Sequence, residues 1–182
     1  SGGDGDDYAT NSYPDYLDLK AQNTVFTDML GYSPMMAPLS LGDRSRVALG
    51  QIVTSNHFEL LGVRPQLGRL LVPSDDAPGA PRVVVLSYRM WQREFGGDPA
   101  IVGRDLTLRG QAYSIVGVTP ESFTGVVALL TPELFLPVQY LEEVEPAGIT
   151  DSVPSPVGTT RLERRGFRWM FVKGRLKPGV TA

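Results

Sequence analysis

The sequence offers one candidate base for nucleophilic catalysis, because His57 is its only histidine. A serine or cysteine triad needs such a base beside the nucleophile. His57 stands between Asn56 and Phe58 at the start of a predicted helix, where we expect it to be exposed or to pack at the helix cap. The sequence contains no cysteine, so thiolate catalysis, thiolate zinc sites and disulfides are excluded for these residues.

Carboxylates are the remaining candidates for acid–base chemistry or metal ligation. Asp15 and Asp18 lie one helical turn apart, a spacing that acid–base work could use. Carboxylates in a first helical turn are more simply explained by the helix dipole. The pairs Asp75-Asp76 and Glu142-Glu143 lack the staggered spacing of a calcium loop. The sequence therefore predicts neither a catalytic carboxylate pair nor a metal site.

Phosphate-binding glycine motifs are absent from the sequence. No G-x-x-x-x-G-K-[ST] segment occurs, and no G-x-G-x-x-G segment follows a predicted strand. We therefore expect no ATPase and no cofactor in this polypeptide.

The formal net charge of −3 provides no field that would recruit nucleic acid. No stretch approaches the roughly 20 apolar residues of a membrane span.

Methionines and aromatic residues provide the one candidate binding surface. It comprises Met29, Tyr32, Met35 and Met36, the last two lying between prolines. Methionine is flexible and polarisable, so such a segment could form an adaptable surface for a protein partner or a small ligand. Packing in the core is the alternative interpretation.

Local signals place these residues on a series of short elements. The β-branched run Val83–Leu86 predicts a buried strand, and Ser87 predicts the N-cap of a helix. Trp91 and Phe95 lie four residues apart on that helix, a spacing typical of core residues. Alternating residues around Arg109-Gly110 predict a hairpin.

The other elements follow from the same kinds of signal. In chain order the sequence predicts a helix from Ser12 to near Asn23, a short helical piece over Phe26–Leu30, a loop or edge strand at Pro34–Pro38, a hairpin over Leu39–Val53, a short helix capped by Asn56 and Glu59, a strand over Glu133–Pro137, a long mobile loop over Leu141–Gly166 and a strand over Arg168–Leu176. Helices set among short strands and hairpins indicate an α+β fold.

Charge is distributed unevenly along the chain. Aspartates dominate the first 28 residues, whereas arginine and lysine dominate Arg161–Lys177. We expect two solvated faces that lie near each other.

With 182 residues, of which 42% are apolar, the chain can bury the core of one domain or of two small intertwined subdomains.

Several ordered motifs resemble the MacB-like periplasmic core domain of ABC-type permeases. The central motif runs from Arg82 to Pro120, where a strand ending in VLS precedes Trp91 and Phe95, then GGDP and a hairpin closing in IVGVTP. The flanking motifs are SYPDYLDLKAQNTVF (Ser12–Phe26), VTSNHFELLGVRPQLGR (Val53–Arg69) and GRLKPGVT (Gly174–Thr181). The resemblance therefore spans most of the chain.

This resemblance implies two intertwined subdomains. Residues 8–38 and 165–182 would form a split, membrane-proximal α/β part that is incomplete here, and residues 39–164 an inserted β-rich part. Residues 1–7 are expected to be a cloning remnant or a flexible linker.

The resemblance also implies a function. It suggests a non-catalytic extracytoplasmic domain of an ABC transporter permease, of the MacB and FtsX-like group, at the periplasmic face of a bacterial inner membrane. Such a domain would couple ATP-driven motion to export or to periplasmic partners. The expected partners are the rest of the membrane-anchored permease, a separate ATPase subunit or region, a periplasmic adaptor and a second copy in a homodimer. The alternative is a stand-alone small-molecule binding module that uses the methionine-rich surface.

Overall fold

The computed structural model describes residues 10–127, 131–145 and 156–180, which form an α+β fold as the sequence predicts. Residues 1–7 lie outside this part of the chain. The helices are α1 (Tyr13–Gln22), α2 (His57–Leu61), α3 (Tyr88–Phe95) and α4 (Leu141–Val144). The strands are β1 (Phe26–Leu41), β2 (Arg44–Val53), β3 (Leu67–Gly68), β4 (Val83–Leu86), β5 (Asp105–Leu108), β6 (Gln111–Val118), β7 (Leu134–Pro137) and β8 (Phe171–Leu176).

The longest element is β1, a continuous strand of 16 residues. Its first half pairs with β8, from Phe26 opposite Leu176 to Tyr32 opposite Phe171. Its second half pairs with β2 on one edge and, at Leu39 and Ser40, with β5 on the other. The predicted helical piece over Phe26–Leu30 is therefore wrong.

Two-sided burial explains that error. Five consecutive residues of β1, from Met29 to Ser33, are buried, because the strand lies between two cores. A strand that is buried on both faces has a continuous run of apolar residues. Such a run also contains apolar residues at helical spacing, so the sequence pattern does not distinguish it from a helix. The segment Pro34–Pro38 is part of the strand, and among the described strands β2 alone pairs with β1 along it.

Six strands form a closed ring of pairings. Their order is β2-β7-β4-β6-β5-β1, and β1 pairs back to β2. Side chains that alternate inward along the strands form the interior core, for example Met35, Ala37 and Leu39 on β1. Trp91 and Met90 of α3 belong to the same core, which confirms the core assignment of the Trp91–Phe95 stripe.

A second core covers part of the outer surface of the ring. It joins Leu30 and Tyr32 of β1 to Val53 of β2 and Phe135 of β7. Helix α2 covers it through Phe58 and Leu60, together with Leu70 and Leu71 of the following loop. Strand β1 thus contributes one face to each core.

The predicted helix start at Ser12 and the predicted N-cap at Ser87 are confirmed. Ser12 accepts a hydrogen bond from the Asp15 amide (3.2 Å), and Ser87 accepts one from the Met90 amide (3.1 Å). Gly62 ends α2 in the left-handed conformation with φ 69°. The predicted Asn56 capping box is wrong, because the Asn56 side chain makes no cap bond and hydrogen-bonds to β1 instead.

The segment Leu141–Gly166 is more ordered than a long loop where it is described. Residues 141–144 form α4, and Arg161–Glu163 form a 3₁₀ turn. Residues 146–155 lie outside the described residues.

Arg161, expected on a solvated face, is fully buried with its guanidinium 5.2 Å from the Phe167 ring centroid. Cation–π contact and backbone carbonyl acceptors offset the burial of this charge.

The acidic and basic segments do lie near each other, as expected. Arg165 contacts Asp18 at 2.6 Å and Asp15 at 3.2 Å.

The proposed boundary between residues 38 and 39 falls inside β1. The division into a split part and an inserted part stays a prediction, and the two parts would share this strand.

Close backbone packing at Gly117 generates a stability prediction. A Cβ at this position would lie 1.9 Å from the Arg69 carbonyl oxygen, whereas one at Gly166 would meet no heavy atom within 4 Å. Gly117→Ala should therefore lower the free energy of unfolding by about 2 kcal/mol or more. Urea unfolding, with Gly166→Ala as the control, measures this difference. Equal stability of the two variants would contradict the close approach.

Candidate functional site

The predicted methionine-rich surface is divided between the core and the exterior. Met29 belongs to the interior core, as does Met35. Tyr32 is 5% exposed and belongs to the second core, whereas Met36 is 64% exposed. The four side chains do not share one exposed face, because successive strand residues point to opposite sides of β1.

A polar network surrounds β1 where the strand passes from β8 to β2. We call it the joint and define it by Tyr16, Lys20, Asp28, Thr54 and Asn56. The Asn56 side-chain amide donates to Asp28 and to the Met29 carbonyl, both at 2.8 Å. The Tyr16 hydroxyl donates to the same carbonyl at 3.0 Å. Helix α1 and the segment after β2 are therefore fastened to the same point of β1.

Further bonds complete the joint. The Thr54 hydroxyl donates to the Asn56 side-chain oxygen at 2.7 Å and accepts from the Gly31 amide at 3.0 Å. Lys20 contacts Asp28 at 3.0 Å. Burial opposes ionisation of Asp28, but bonds from Asn56 and the Met29 amide, with the Lys20 charge, outweigh it and lower its pKa. The joint therefore keeps the carboxylate of Asp28, a residue of β1, in its charged form.

A second charged network fastens the β1–β2 hairpin to α3. Arg46 of β2 contacts Glu133 through two hydrogen bonds, at 2.8 and 2.9 Å, and Glu94 of α3 at 2.9 Å. Arg93 also contacts both glutamates. Burial opposes ionisation of Glu133, but bonds from Arg46, Arg93 and the Leu49 amide lower its pKa. Bidentate geometry makes such pairs stronger than isolated surface ion pairs.

His57 is fully buried, contrary to the expectation of an exposed or cap-packed residue. Its ring lies among aromatic rings, with centroid distances of 5.2 Å to Phe58, 6.3 Å to Phe135 and 6.4 Å to Phe123. Neither ring nitrogen has a hydrogen-bond partner in the part of the chain that the structure describes. Burial, with a smaller contribution from the Lys173 charge, lowers the pKa of His57 to about 3. The imidazole is therefore neutral and shielded from solvent.

The candidate carboxylates serve structural roles. Asp75 is buried and forms a bidentate pair with Arg69, at 2.8 and 3.0 Å. Asp76 accepts from the Ser55 amide at 2.7 Å. Within residues 10–127, 131–145 and 156–180, no group of three or more histidine or acidic side chains could hold a metal ion. None of the helices in the same ranges combines the length and apolar character of a membrane span.

Neither network was predicted from the sequence. Asp28 and Asn56 are 28 positions apart, and Arg46 and Glu133 are 87 apart. The only local signal was Asn56 itself, whose position suggested a helix cap. Its polar side chain is used in the joint instead, since the turn between β2 and α2 directs it toward β1.

Family comparison agrees with the fold. The sequence matches the model of the MacB-like periplasmic core domain over residues 1–182. No curated protein matches it significantly.

Solved structures of similar fold include domains of three bacterial transporters or permeases. The extracellular domain of the noncanonic ABC-type transporter YknZ from Gram-positive bacteria has a TM-score of 0.60 at 18% identity, covering 75% of this chain and 67% of that one. A domain of a putative permease from Porphyromonas gingivalis has a TM-score of 0.65 at 16% identity, covering 96% and 72%. The periplasmic region of MacB from Actinobacillus actinomycetemcomitans has a TM-score of 0.62 at 18% identity, covering 96% and 85%.

Burial of neutral His57 predicts a pH-dependent loss of stability. The folded-state pKa of about 3 lies below the ordinary value of 6.5, so the unfolded chain binds the proton first. Stability should therefore fall as pH drops below about 6.5, by about 2 kcal/mol between about pH 7 and about pH 5 from this residue alone. His57→Phe should remove that part of the slope.

Urea unfolding of both proteins across this pH range measures the difference. Half-buried acids such as Asp76 and Glu145, whose pKa values burial raises, contribute equally to both proteins and cancel in the comparison. Parallel pH profiles of the two proteins would show that His57 is not held neutral in the fold.

Proposed function

The chain belongs to the family of MacB-like periplasmic core domains, and from this membership we propose that it couples ATP-driven motion of a permease to export or to periplasmic partners. It is the extracytoplasmic domain of an ABC transporter permease of the MacB and FtsX-like group. In the proposed role the domain is non-catalytic and transmits movement mechanically. The bacterial inner membrane is the proposed location of the parent protein.

Continuity of β1 is the observation that carries this proposal. The first half of the strand pairs with β8, next to α1, and the second half closes the six-stranded ring. A strand resists bending more than a linker does, because both of its halves are fixed by ladder hydrogen bonds. Displacement of α1 and β8 would therefore reach the ring without passing through a flexible connection.

The joint supports the same role. It fixes α1, β1 and the segment after β2 by buried or half-buried hydrogen bonds around Met29 and Gly31. Breaking a buried bond leaves its partner unsatisfied, which costs about 1–3 kcal/mol. The joint therefore opposes independent movement of the two halves of β1.

The proposed partners follow from what this sequence lacks and from its family. The sequence has no P-loop, so the ATPase would be a separate subunit or region. The remaining proposed partners are the membrane part of the permease, a periplasmic adaptor and a second copy of the chain. The alternative of a stand-alone module at the methionine-rich surface is not favoured, because three of its four residues are buried.

Nucleotide-dependent movement of the domain tests the proposal. Asp43 lies in the exposed turn between β1 and β2, and the sequence has no cysteine. An Asp43→Cys spin label in the full-length permease, assembled with its ATPase in liposomes, should report a distance between two copies. We expect ATP to shift that distance distribution relative to ADP.

Asn56→Ala in the joint should reduce this shift, because it removes three hydrogen bonds around β1. Arg104→Ala is the control, since its exposed pair with Asp98 lies outside the joint. Identical distributions in ATP and ADP, or the absence of any dipolar signal between copies, would contradict the proposed coupling in a homodimer.

A further inference from the structure

An open groove runs along the exposed side of α3. Its larger part has a volume of about 620 Å³ and lies between Tyr88, Arg89 and Gln92 of the helix and Phe123 of the opposite loop. A smaller part of about 290 Å³ continues past Arg89 toward Val47 of β2. Arg93 of the second charged network also lines the larger part.

Two aromatic walls of the groove are held from behind. The Tyr88 ring packs edge-on against Trp91, with a centroid distance of 5.7 Å. The Phe123 ring lies 5.7 Å from Phe58 and 5.8 Å from Phe135. Both wall residues are half-buried. A flat apolar group could contact them at a low cost in side-chain entropy, because the rings are already positioned.

The groove carries one cation and one anion without protein partners. Arg89 and Glu121 both line its larger part and are exposed. Among the residues that the structure describes, neither side chain forms an ion pair or a hydrogen bond. Arg93, which also lines the groove, is already held by Glu94 and Glu133. The charges left for a ligand are therefore of opposite sign.

The size of the groove favours a small molecule over a protein. Its volume lies within the about 300–1,000 Å³ of small-molecule sites. A stable protein interface buries about 800 Å² on each partner, which requires a larger exposed apolar area than this region has. Among the described residues, Val47 at 62% exposure is the one large, exposed apolar side chain that lines the groove.

We propose that this groove binds a small zwitterion with an aromatic body. The aromatic body would lie between Tyr88 and Phe123, the carboxylate would pair with Arg89, and the ammonium group would pair with Glu121. An aromatic amino acid derivative or a short peptide of that kind has this chemistry. The binding is independent of the proposed coupling role, so each can fail without the other.

Three fluorescent probes with the same aromatic body test the proposal. Dansyl-lysine carries both charges, dansylcadaverine only the ammonium group and dansyl-aminohexanoate only the carboxylate. We expect saturable binding to the isolated domain, with dansyl-lysine tightest. Amide shifts in NMR spectra should locate it at Tyr88–Arg93 and Phe123–Thr124.

Charge-removing substitutions should separate the probes. Arg89→Gln should weaken dansyl-lysine and the carboxylate probe about tenfold while leaving dansylcadaverine unchanged. Glu121→Gln should weaken dansyl-lysine and dansylcadaverine while leaving the carboxylate probe unchanged. Arg168→Gln, at an exposed arginine outside the groove, is the control. Because all three positions are exposed, unfolding is not expected, and thermal melting of each variant verifies this.

Three outcomes would overturn the proposal. They are equal affinities of the three probes, affinities that neither substitution changes, and shifts that cluster away from α3. Loss of all binding with an unchanged melting temperature in both variants would also contradict the separate roles of Arg89 and Glu121.

Discussion

Strand β1 must satisfy hydrogen-bonding partners on its edges and apolar cores on both faces. Its first half depends on β8, and its second half depends on β2 and β5. The ring of six strands closes only through β1 and β2. A break in this strand would therefore separate α1 and β8 from the ring and also open the ring itself. The interior core, the second core and the joint all contact this one element.

Polar groups are concentrated where that constraint is most severe. At Met29–Gly31, just before the strand passes from β8 to β2 at Tyr32, its backbone is bonded to Tyr16, Thr54 and Asn56. On the other face, aromatic packing around His57 holds a neutral imidazole in the second core. Burial of unsatisfied or weakly satisfied groups costs free energy that apolar contacts must offset. We interpret this arrangement as stabilising one position of β1 relative to α1 and α2.

Much of the fold could be predicted from local signals. Ser12 and Ser87 mark helix starts through interactions within a few residues, and the structure confirms them. The course of β1 could not be predicted in the same way, because its burial depends on β8, more than 130 residues away in sequence. Asn56 shows the same limit, since a long-range bond to β1 replaces the local cap. The aromatic walls and unpaired charges of the α3 groove also come together only in the folded chain.

In the proposed coupling role, β1 is one mechanical element rather than two joined strands. Hydrogen exchange of the isolated domain, read residue by residue by NMR, tests this most directly, because cooperative units exchange together. We expect hydrogen-bonded amides in the first half of β1 to exchange by the same opening reaction as those in the second half, with similar free energies of opening. Early exchange of the first half together with β8, while the six-stranded ring stays protected, would contradict it.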